Sequence, residues 1–453
     1  MKHLLLTALL SGMSGVSLWA QSINMPIIQT KYTADPAPYV HGDTVYLYTT
    51  HDEDYSEGFM MKDWLLYTST DMVNWQDHGV VASLKDFPWY KGDNGAWAEC
   101  VVERNGKWYM YCPIHGHGIG VLVSDSPYGP FKDPLGHPLV WRQEHWYDID
   151  PSVYIDDDGQ AYMYWGNPYT YCVKLKEDMI SIDGDIMTMD RIDDYQEGPW
   201  FWARKNDKGE KWYYLAFAST CCPEGIGYAM SKSPTGPWKH MGHIMDHTPR
   251  TRGNHPGIID YKGKSYCFGL TYDLFRLESS RHAERRSVSA AEMTYNADGT
   301  IKELPYFQDC KLEQIGTFNP YRRVEAETMA WGYGLKTTRE NPSGPWNETL
   351  FVTDIDDGEY ILVRGIDFGK KGALKFHASC SSQLYGGRMV IRLDAVDGSL
   401  AGAIDIPNTK FNYRAFITDV TQCNGGRDVY FVFKSTSIQK KNLFNFDCWK
   451  FDK

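Results

Sequence analysis

The sequence predicts an all-β chain, a five-bladed β-propeller followed by a β-sandwich of jelly-roll type. Three observations carry that prediction. A turn glycine followed by an aromatic strand recurs five times in the first 300 residues. No long amphipathic helix interrupts those units. Near residue 305 the recurrence stops, and about 130 residues of short alternating strands follow.

The five instances are HGDTVYLYTT at Gly42, NGKWYMYCPI at Gly106, DGQAYMYWGN at Gly159, KGEKWYYLAFAS at Gly209 and KGKSYCFGLTY at Gly263. Successive glycines are 64, 53, 50 and 54 residues apart. Each instance is preceded by another apolar strand: DPAPYV, AWAECVVE, DPSVYI, GPWFWAR and HPGIID. Each unit therefore holds a hairpin with a Gly-containing turn. Three units continue into a further strand signal, STDMVNWQDHG, SDSPYGPFKDP and SKSPTGPWKH. Five units of some 50 residues, each with three or four short strands, describe the blades of a propeller. A sandwich would not repeat a hairpin and its edge strand five times.

The 453 residues exceed one ordinary domain. The expected divisions are a signal peptide over 1–21, the propeller over 22–305, a connector over 306–320 and the sandwich over 321–453. The start, MKHLLLTALLSGMSGVSLWAQS, has one lysine, a short apolar run and small residues before Gln21, as a secretory leader does. A secreted or periplasmic location follows from it. No segment is apolar for long enough to span a bilayer. A net charge of −12, spread along the chain, argues against nucleic acid as a partner. Ten cysteines are too few for a disulfide scaffold. Cys221 and Cys222 are adjacent, and no CxxC pair suggests zinc. The 16 Trp and 31 Tyr suit stacking on sugar rings, and equally suit β-structure.

In a propeller the innermost strand of each blade lines the axis, so equivalent positions converge on one pocket. At the start of the first strand of each unit stand Asp35, Trp97, Asp150, Glu197 and His255. One acid beside a proline is ordinary loop chemistry; three acids at equivalent positions are not. Paired carboxylates suit glycosidic bond hydrolysis, one protonating the leaving oxygen and the other activating water or attacking. A third raises its neighbour's pKa by like-charge repulsion. Three carboxylates and a His could also hold a metal, but the Trp and its neighbouring aromatics favour a sugar pocket.

The segments TADPAPYVHGDTVYLYTTHDE, KDWLLYTSTDMVNW, AWAECVVERNGKWYMY, DIDPSVYIDDDGQAYMYWGN, EGPW and RRSV together resemble glycoside hydrolase family 43. The resemblance covers about residues 25 to 305. It implies a five-bladed propeller that hydrolyses with inversion. It assigns the general base to Asp35, the pKa-modulating and orienting carboxylate to Asp150, and the general acid to Glu197. Inversion requires the base and acid to lie ~6.5–9.5 Å apart. The resemblance places His255 near the axis, holding a calcium ion or a water. Trp97 and Trp165 are candidates to line the sugar subsite. Arg286 is a candidate to hydrogen-bond the sugar or to form a structural ion pair. His51 and Asp52 either border the pocket or belong to a turn. Within the acidic run, Asp150 shares the blade position, Asp156, Asp157 and Asp158 read as turn residues, and Asp148 has no assignment.

After the connector, RVEAETMAWGYG opens the strands that end in NLFNFDCWKFDK. These ends resemble carbohydrate-binding module family 6. Glu325 and Glu327 share a strand face, Asp447 lies where the last strand could pair beside the first, and together they could hold a structural Ca²⁺. Tyr333, Phe411 and Asn442 are the candidate sugar contacts of the module. A Trp that the resemblance leads one to expect near Phe411 is missing, so the module could equally buttress the propeller. The combined expectation is a monomeric, inverting exo-glycosidase acting on plant cell-wall polysaccharide. It would release α-L-arabinofuranosyl side chains from arabinoxylan, with β-xylosidase as the alternative. A non-catalytic sugar-binding propeller is the reading of a different class.

Overall fold

The computed structural model describes residues 26–142, 147–248, 254–339, 350–383 and 385–453. The leader expected over 1–21 lies outside the described residues. Five antiparallel sheets follow one another along the first 300 residues. The first holds β1 (Tyr32–His41), β2 (Thr44–Asp52), β3 (Asp63–Ser69) and β4 (Trp75–Ser83). The second holds β5 (Cys100–Arg104), β6 (Lys107–Pro113) and β7 (Ile119–Ser124). The third holds β8 (Ser152–Ile155), β9 (Ala161–Trp165), β10 (Tyr171–Leu175) and β11 (Ile182–Thr188). The fourth holds β12 (Tyr195–Lys205), β13 (Lys211–Ser219), β14 (Gly225–Ser231) and β15 (Lys239–Met245). The fifth holds β16 (Gly257–Tyr261), β17 (Lys264–Thr271) and β18 (Ser287–Met293).

The turn glycines explain the hairpins. Gly42, Gly106, Gly159, Gly209 and Gly263 each lie between the first two strands of a sheet, and all five have positive φ, between 59° and 83°. At Asn105–Gly106 and Lys262–Gly263 both residues are left-handed, the backbone of a tight hairpin turn whose twist matches the strands. The signal SDSPYGPFKDP yields only a single bridge, Val123 to Lys132, and no strand; three prolines remove ladder donors there.

The first strands close a ring. β1 touches β5, β5 touches β8, β8 touches β12, β12 touches β16, and β16 returns to β1. The ends of the ring are laced together: Ile27 N–H donates to Val288 O and Thr33 N–H to Arg286 O, each at 2.9 Å. The propeller is thereby closed on its own first residues.

The second unit is a two-sheet sandwich. Its strands are β19 (Val324–Glu325), β20 (Thr328–Met329), β21 (Lys336–Arg339), β22 (Leu350–Thr353), β23 (Tyr360–Asp367), β24 (Lys375–Ser381), β25 (Gly387–Leu393), β26 (Ser399–Ile406), β27 (Arg414–Asp419), β28 (Gly426–Lys434) and β29 (Asn445–Asp452). One sheet runs β21-β22-β29-β24-β27 with β19 also on β29, and the other runs β23-β28-β25-β26. Phe376, Phe431, Phe446, Trp449 and Phe451 fill the space between them.

The two units share secondary structure and core. β20 is the outer strand of the first blade, pairing Thr328 with Gln76 and Met329 with Trp75. Ala330, Leu362, Tyr430 and Val432 of the sandwich lie in one apolar cluster with Val45, Leu65, Trp75 and Phe268 of the propeller. The connector is packed as well. Phe307 is buried among the fourth and fifth blades, and Phe318 belongs to the sandwich core. Leu362 is buried at this junction, so Leu362→Ala is expected to cost ~2–5 kcal/mol in denaturant unfolding. A loss below about 0.5 kcal/mol would show that the junction is not tightly packed.

Candidate active site

The ring delivers all five strand-start residues to one place. Asp35, Asp150, Glu197 and His255 line a single cavity, together with Trp97, Arg286, Phe59, Met61, Gln196, Tyr272 and Glu284. Its volume is about 270 Å³, near the lower end for small-ligand sites. The wall is apolar on the side of Phe59, Met61 and Trp97, and the floor carries the charges.

The local backbone explains how the acids reach the axis. Asp35 and Asp150 both have positive φ, 50° and 57°, immediately before a proline. That conformation is costly for a non-glycine residue and concentrates at functional sites. In β1 the pairing with β2 shifts register between Ala34 and Ala37, around Asp35. In β12 the register shifts on both sides of Glu197, and Gly198 takes the left-handed conformation. A Cβ at Gly198 would lie 2.9 Å from His255 Nδ1, so only glycine fits between Glu197 and the imidazole. These irregularities turn strand side chains into the axis.

His255 organises the cluster. Its Nδ1 lies 3.9 Å from Asp35 Oδ1, and its Nε2 lies 3.9 Å from Asp150 Oδ2 and 3.5 Å from Glu197 Oε1. Burial works against charge on the ring, but Asp150, Asp35 and Glu197 outweigh it and push the imidazole up to about 10. It is therefore an imidazolium at neutral pH. Asp150 is pushed up to about 8, first by burial and then by the charges of Glu197 and Asp35, against the imidazolium. Its Oδ2 accepts from Gly198 N–H at 3.3 Å. Asn167 Nδ2 donates to Glu197 Oε2.

Arg286 resolves the two roles left open for it. It is buried, and its Nε and Nη2 donate to the two oxygens of Asp52 at 2.9 and 2.8 Å. Its Nη1 donates to Asp35 Oδ1 at 2.9 Å. The guanidinium thus belongs to a buried ion pair and also lines the cavity, which places Asp52 behind the site rather than in a turn. Thr50 Oγ1 donates to the other oxygen of Asp35 at 2.8 Å. His51 instead pairs with Asp63 at 2.8 Å, away from the cavity.

Two predicted contacts are corrected. Trp165 is fully buried in the core between the second and third blades, with its indole N–H donating to Asp148 Oδ1 at 2.9 Å. It sits on the second strand of its blade, whose side chains pack between sheets, so it cannot meet a sugar. Tyr333 packs against Tyr32, Leu274, Phe275 and Ala283 of the propeller and is half-buried there. It is a contact between the units. Trp97 does line the cavity, stacked on His115 with ring centroids 4.1 Å apart. Asp148, unassigned in the sequence, clamps both Trp165 and Arg142. Asp156 is more than a turn residue, since it is buried and accepts from Tyr213 Oη at 2.7 Å, tying the third blade to the fourth.

In the sandwich, β19 pairs with β29, setting Glu325 opposite Cys448. Glu325, Asp447 and Cys448 each bring a ligand atom within 4.8 Å of the others. Glu327 is not in that group: Ala326 N–H still donates to Asp447 O of β29 at 2.9 Å, and the chain then crosses to the first blade as β20. Its carboxyl is nevertheless pushed well up by burial and by the charges of Glu325, Asp77 and Asp447. Arg323 forks onto Glu325 at 2.7 and 2.8 Å and reaches Asp447 at 3.2 Å. Phe411 is exposed, and its N–H donates to Ser382 O, while Ser382 Oγ donates to Leu443 O beside Asn442. Phe411 and Asn442 therefore share one loop cluster, which also exposes Tyr385.

Sequence reasoning missed Glu99. It lies one residue before β5, at the axis below Asp35, Asp150 and His255. It is buried, and its oxygens find no partner in another residue among the described residues. Burial first, then Asp35, pushes its carboxyl well above the usual range, toward the neutral form. The signal was its alternation with Trp97, two residues earlier on the same strand face.

The sequence profile of glycosyl hydrolases family 43 matches residues 23–301, more than half of the chain. The chain belongs to that family. The family 43 protein is a glycoside hydrolase, and residues 325–453 match carbohydrate binding module family 6. It is 33% identical to an arabinoxylan arabinofuranohydrolase of Bacillus subtilis (strain 168), covering 99% of this chain and 98% of that one. It is 32% identical to an arabinoxylan arabinofuranohydrolase of Paenibacillus polymyxa, over 94% of this chain and 74% of that one. A crystal structure of a family 43 arabinoxylan arabinofuranohydrolase from Bacillus subtilis in complex with cellotetraose superimposes with a TM-score of 0.83. That match is 30% identical and covers 96% and 99% of the two chains. A β-xylosidase/α-arabinofuranosidase from a compost microbial metagenome, solved with xylotriose in a calcium-free form, matches with a TM-score of 0.55. It is 27% identical, over 63% of this chain and 98% of that one.

Charge on His255 favours the ionised form of Asp150 beside it. His255→Gln removes that charge, so the carboxylates of the cluster should ionise at higher pH. The kcat/KM profile of this variant is expected to move to the alkaline side by about one unit, with a loss of activity. An unchanged or acid-shifted profile would show that the imidazole is not protonated in the working enzyme.

Proposed function

We propose that this family 43 enzyme is an inverting exo-glycosidase that releases α-L-arabinofuranosyl side chains from arabinoxylan-type polysaccharide. The observation that carries the reading is the arrangement about His255. Asp35 stands on the Nδ1 side of the ring and Glu197 on the Nε2 side, and both line the one cavity. Two carboxylates kept apart at one cavity suit a base and an acid that act through water, as in inversion. The small cavity suits a single sugar ring. Full-length likeness to two arabinoxylan arabinofuranohydrolases supports arabinose as that sugar. A β-xylosidase is the second reading, because a Bacteroides ovatus relative, 31% identical over 61% of this chain, is a xylosidase/arabinosidase.

In this reading Asp35, held by Arg286 and Thr50, takes a proton from water as it attacks the anomeric carbon. Glu197, oriented by Asn167, gives its proton to the leaving oxygen. Asp150 and His255 set the charge around the acid, and Trp97 and Phe59 cover the apolar side of the ring. The composition of residues 1–21 supports a secreted or periplasmic enzyme meeting polysaccharide. Phe411 and Asn442 are the module's sugar-contact candidates.

Glu197→Gln should lower kcat on arabinoxylan by at least about 10³-fold while leaving the fold intact. Proton NMR of the first product of the wild type should show the inverted anomer. Near-wild-type turnover by the variant removes Glu197 as the acid, and a retained anomer removes Asp35 as a base acting through water. Assay of aryl arabinofuranoside against aryl xyloside separates the two substrate readings.

The module also offers a place for calcium. Glu327 Oε2 is buried without a partner, close in charge to Glu325 and Asp447, and hard oxygen donors of this kind fit Ca²⁺. Bound there, the ion would neutralise the carboxylates that Arg323 now neutralises in part. At the propeller axis Asp150, Glu197 and His255 also bring ligand atoms within 4.8 Å of one another, the group that would hold a second ion. Adding calcium to the chelator-treated protein should raise the melting temperature by roughly 2–4 °C, and Glu327→Gln should abolish that rise. The same rise in the variant would place the ion elsewhere.

A further inference from the structure

Eight of the ten cysteines are free thiols buried in the blades, the connector or the sandwich. The remaining two are the exposed Cys221 and Cys222, joined to each other by a disulfide. A bridge between sequence neighbours closes almost no chain, so it contributes little of the loop-closure stabilisation that disulfides bring to a fold. Its place suggests another use. The pair occupies the loop between β13 and β14 of the fourth blade and lines the catalytic cavity beside Gln196 and Glu197.

The loop is held at both ends. Thr220 N–H donates to Asp194 O at 3.0 Å, and the buried Glu224 accepts from Asn254 N–H at 3.0 Å, next to His255. In a ring of five blades, the fourth lies across the axis from the junction of the first and second. Phe59 and Trp97 come from that opposite side and form the aromatic wall. The cavity is thus bounded by rings on one side and by a disulfide on the other. A disulfide has no N–H or O–H to donate, and its sulfurs are polarisable and apolar in behaviour. It is suited to the C–H face of a sugar.

Glu197 marks which sugar. The acid must sit beside the oxygen that joins the released residue to the rest of the chain. Elements next to Glu197 and farther from Asp35 therefore face the leaving group. We propose that the Cys221–Cys222 disulfide is an apolar contact plate for the sugar on the leaving-group side of the scissile bond. It thereby helps to determine which substrates this pocket accepts. The inference rests on the glycosidase reading of Asp35 and Glu197.

The test is calorimetric titration in the Glu197→Gln background, with and without Cys221→Ser/Cys222→Ser. The ligands are a xylo-oligosaccharide carrying an arabinofuranosyl branch, the linear xylo-oligosaccharide, and free L-arabinose. Loss of the plate should weaken the branched ligand about tenfold and arabinose less than twofold. Reduction of the Glu197→Gln protein by a phosphine should reproduce the loss, and N-ethylmaleimide should add two labels to the native protein only after that reduction. An unchanged affinity for the branched ligand overturns the inference alone. Equal weakening of arabinose also overturns it, since the pair would then act on the inner sugar or on the fold. Labelling before reduction overturns it as well. A Glu197→Gln protein that binds neither oligosaccharide overturns the inference and the proposed function together.

Discussion

The structure turns on a single electrostatic constraint, the burial of several carboxylates around one propeller axis. Asp35, Asp52, Asp150 and Glu99 are all shielded from water, and a lone buried carboxylate is costly. Two cations answer it. Arg286 neutralises Asp52 by a two-pronged contact and reaches Asp35 with its remaining nitrogen. His255 carries a proton because three acids surround it. Each cation is itself buried and would be untenable without the acids, so neither set can be removed without stranding the other. The positive φ at Asp35 and Asp150 adds strain to this balance. A closed ring of first strands can bear that strain, because each strand is fixed by neighbours on both sides.

The same rigidity is extended outward by the sandwich. β20 is contributed by the second unit to the first blade, and Asp77 of that blade binds Lys31 at 3.1 Å and Thr337 at 2.6 Å. Burial opposes charge on Asp77, but the Lys31 charge and the donors around it hold its carboxyl below the usual range. The first blade carries Asp35, Thr50 and Asp52, so the module braces the blade that holds the proposed base. A sugar-binding role at the Phe411 loops and a bracing role at β20 use different faces and do not compete.

What the sequence made legible, and what it hid, follows from the period of the strand. The five turn glycines and five strand starts are one-dimensional features, visible as spacing, and they brought out Asp35, Asp150, Glu197 and His255. Depth along the blade is not written in spacing. Trp165 and Trp97 are both aromatic and near motifs, yet one lies inside a blade and the other at the mouth. Asp148 and Asp150 differ by two residues, both just ahead of β8, but one is spent on Trp165 and Arg142. Glu327 shows the same limit in the module. Alternation puts it on the face of Glu325, and the chain then changes sheets within two residues. Arg286 was visible, but its partner Asp52 lies 234 positions away, and only closure of the ring joins them.

Glu99 shows how the balance serves the reaction. Burial first, then Asp35, pushes its carboxyl well up, which favours the form that adds no charge to the floor of the site. Asp150 is pushed up to about 8 by burial first and by its acidic neighbours, against the imidazolium that pulls it back. Arg286 meanwhile faces both Asp35 and Asp52. The proposed base is thus held by a guanidinium on one side of the site, and the proposed acid by Asn167 and the imidazole on the other. Removing Arg286 would disturb this balance at the base, and removing His255 would disturb it at both carboxylates. Of the two cations, only the imidazolium touches acid and base together.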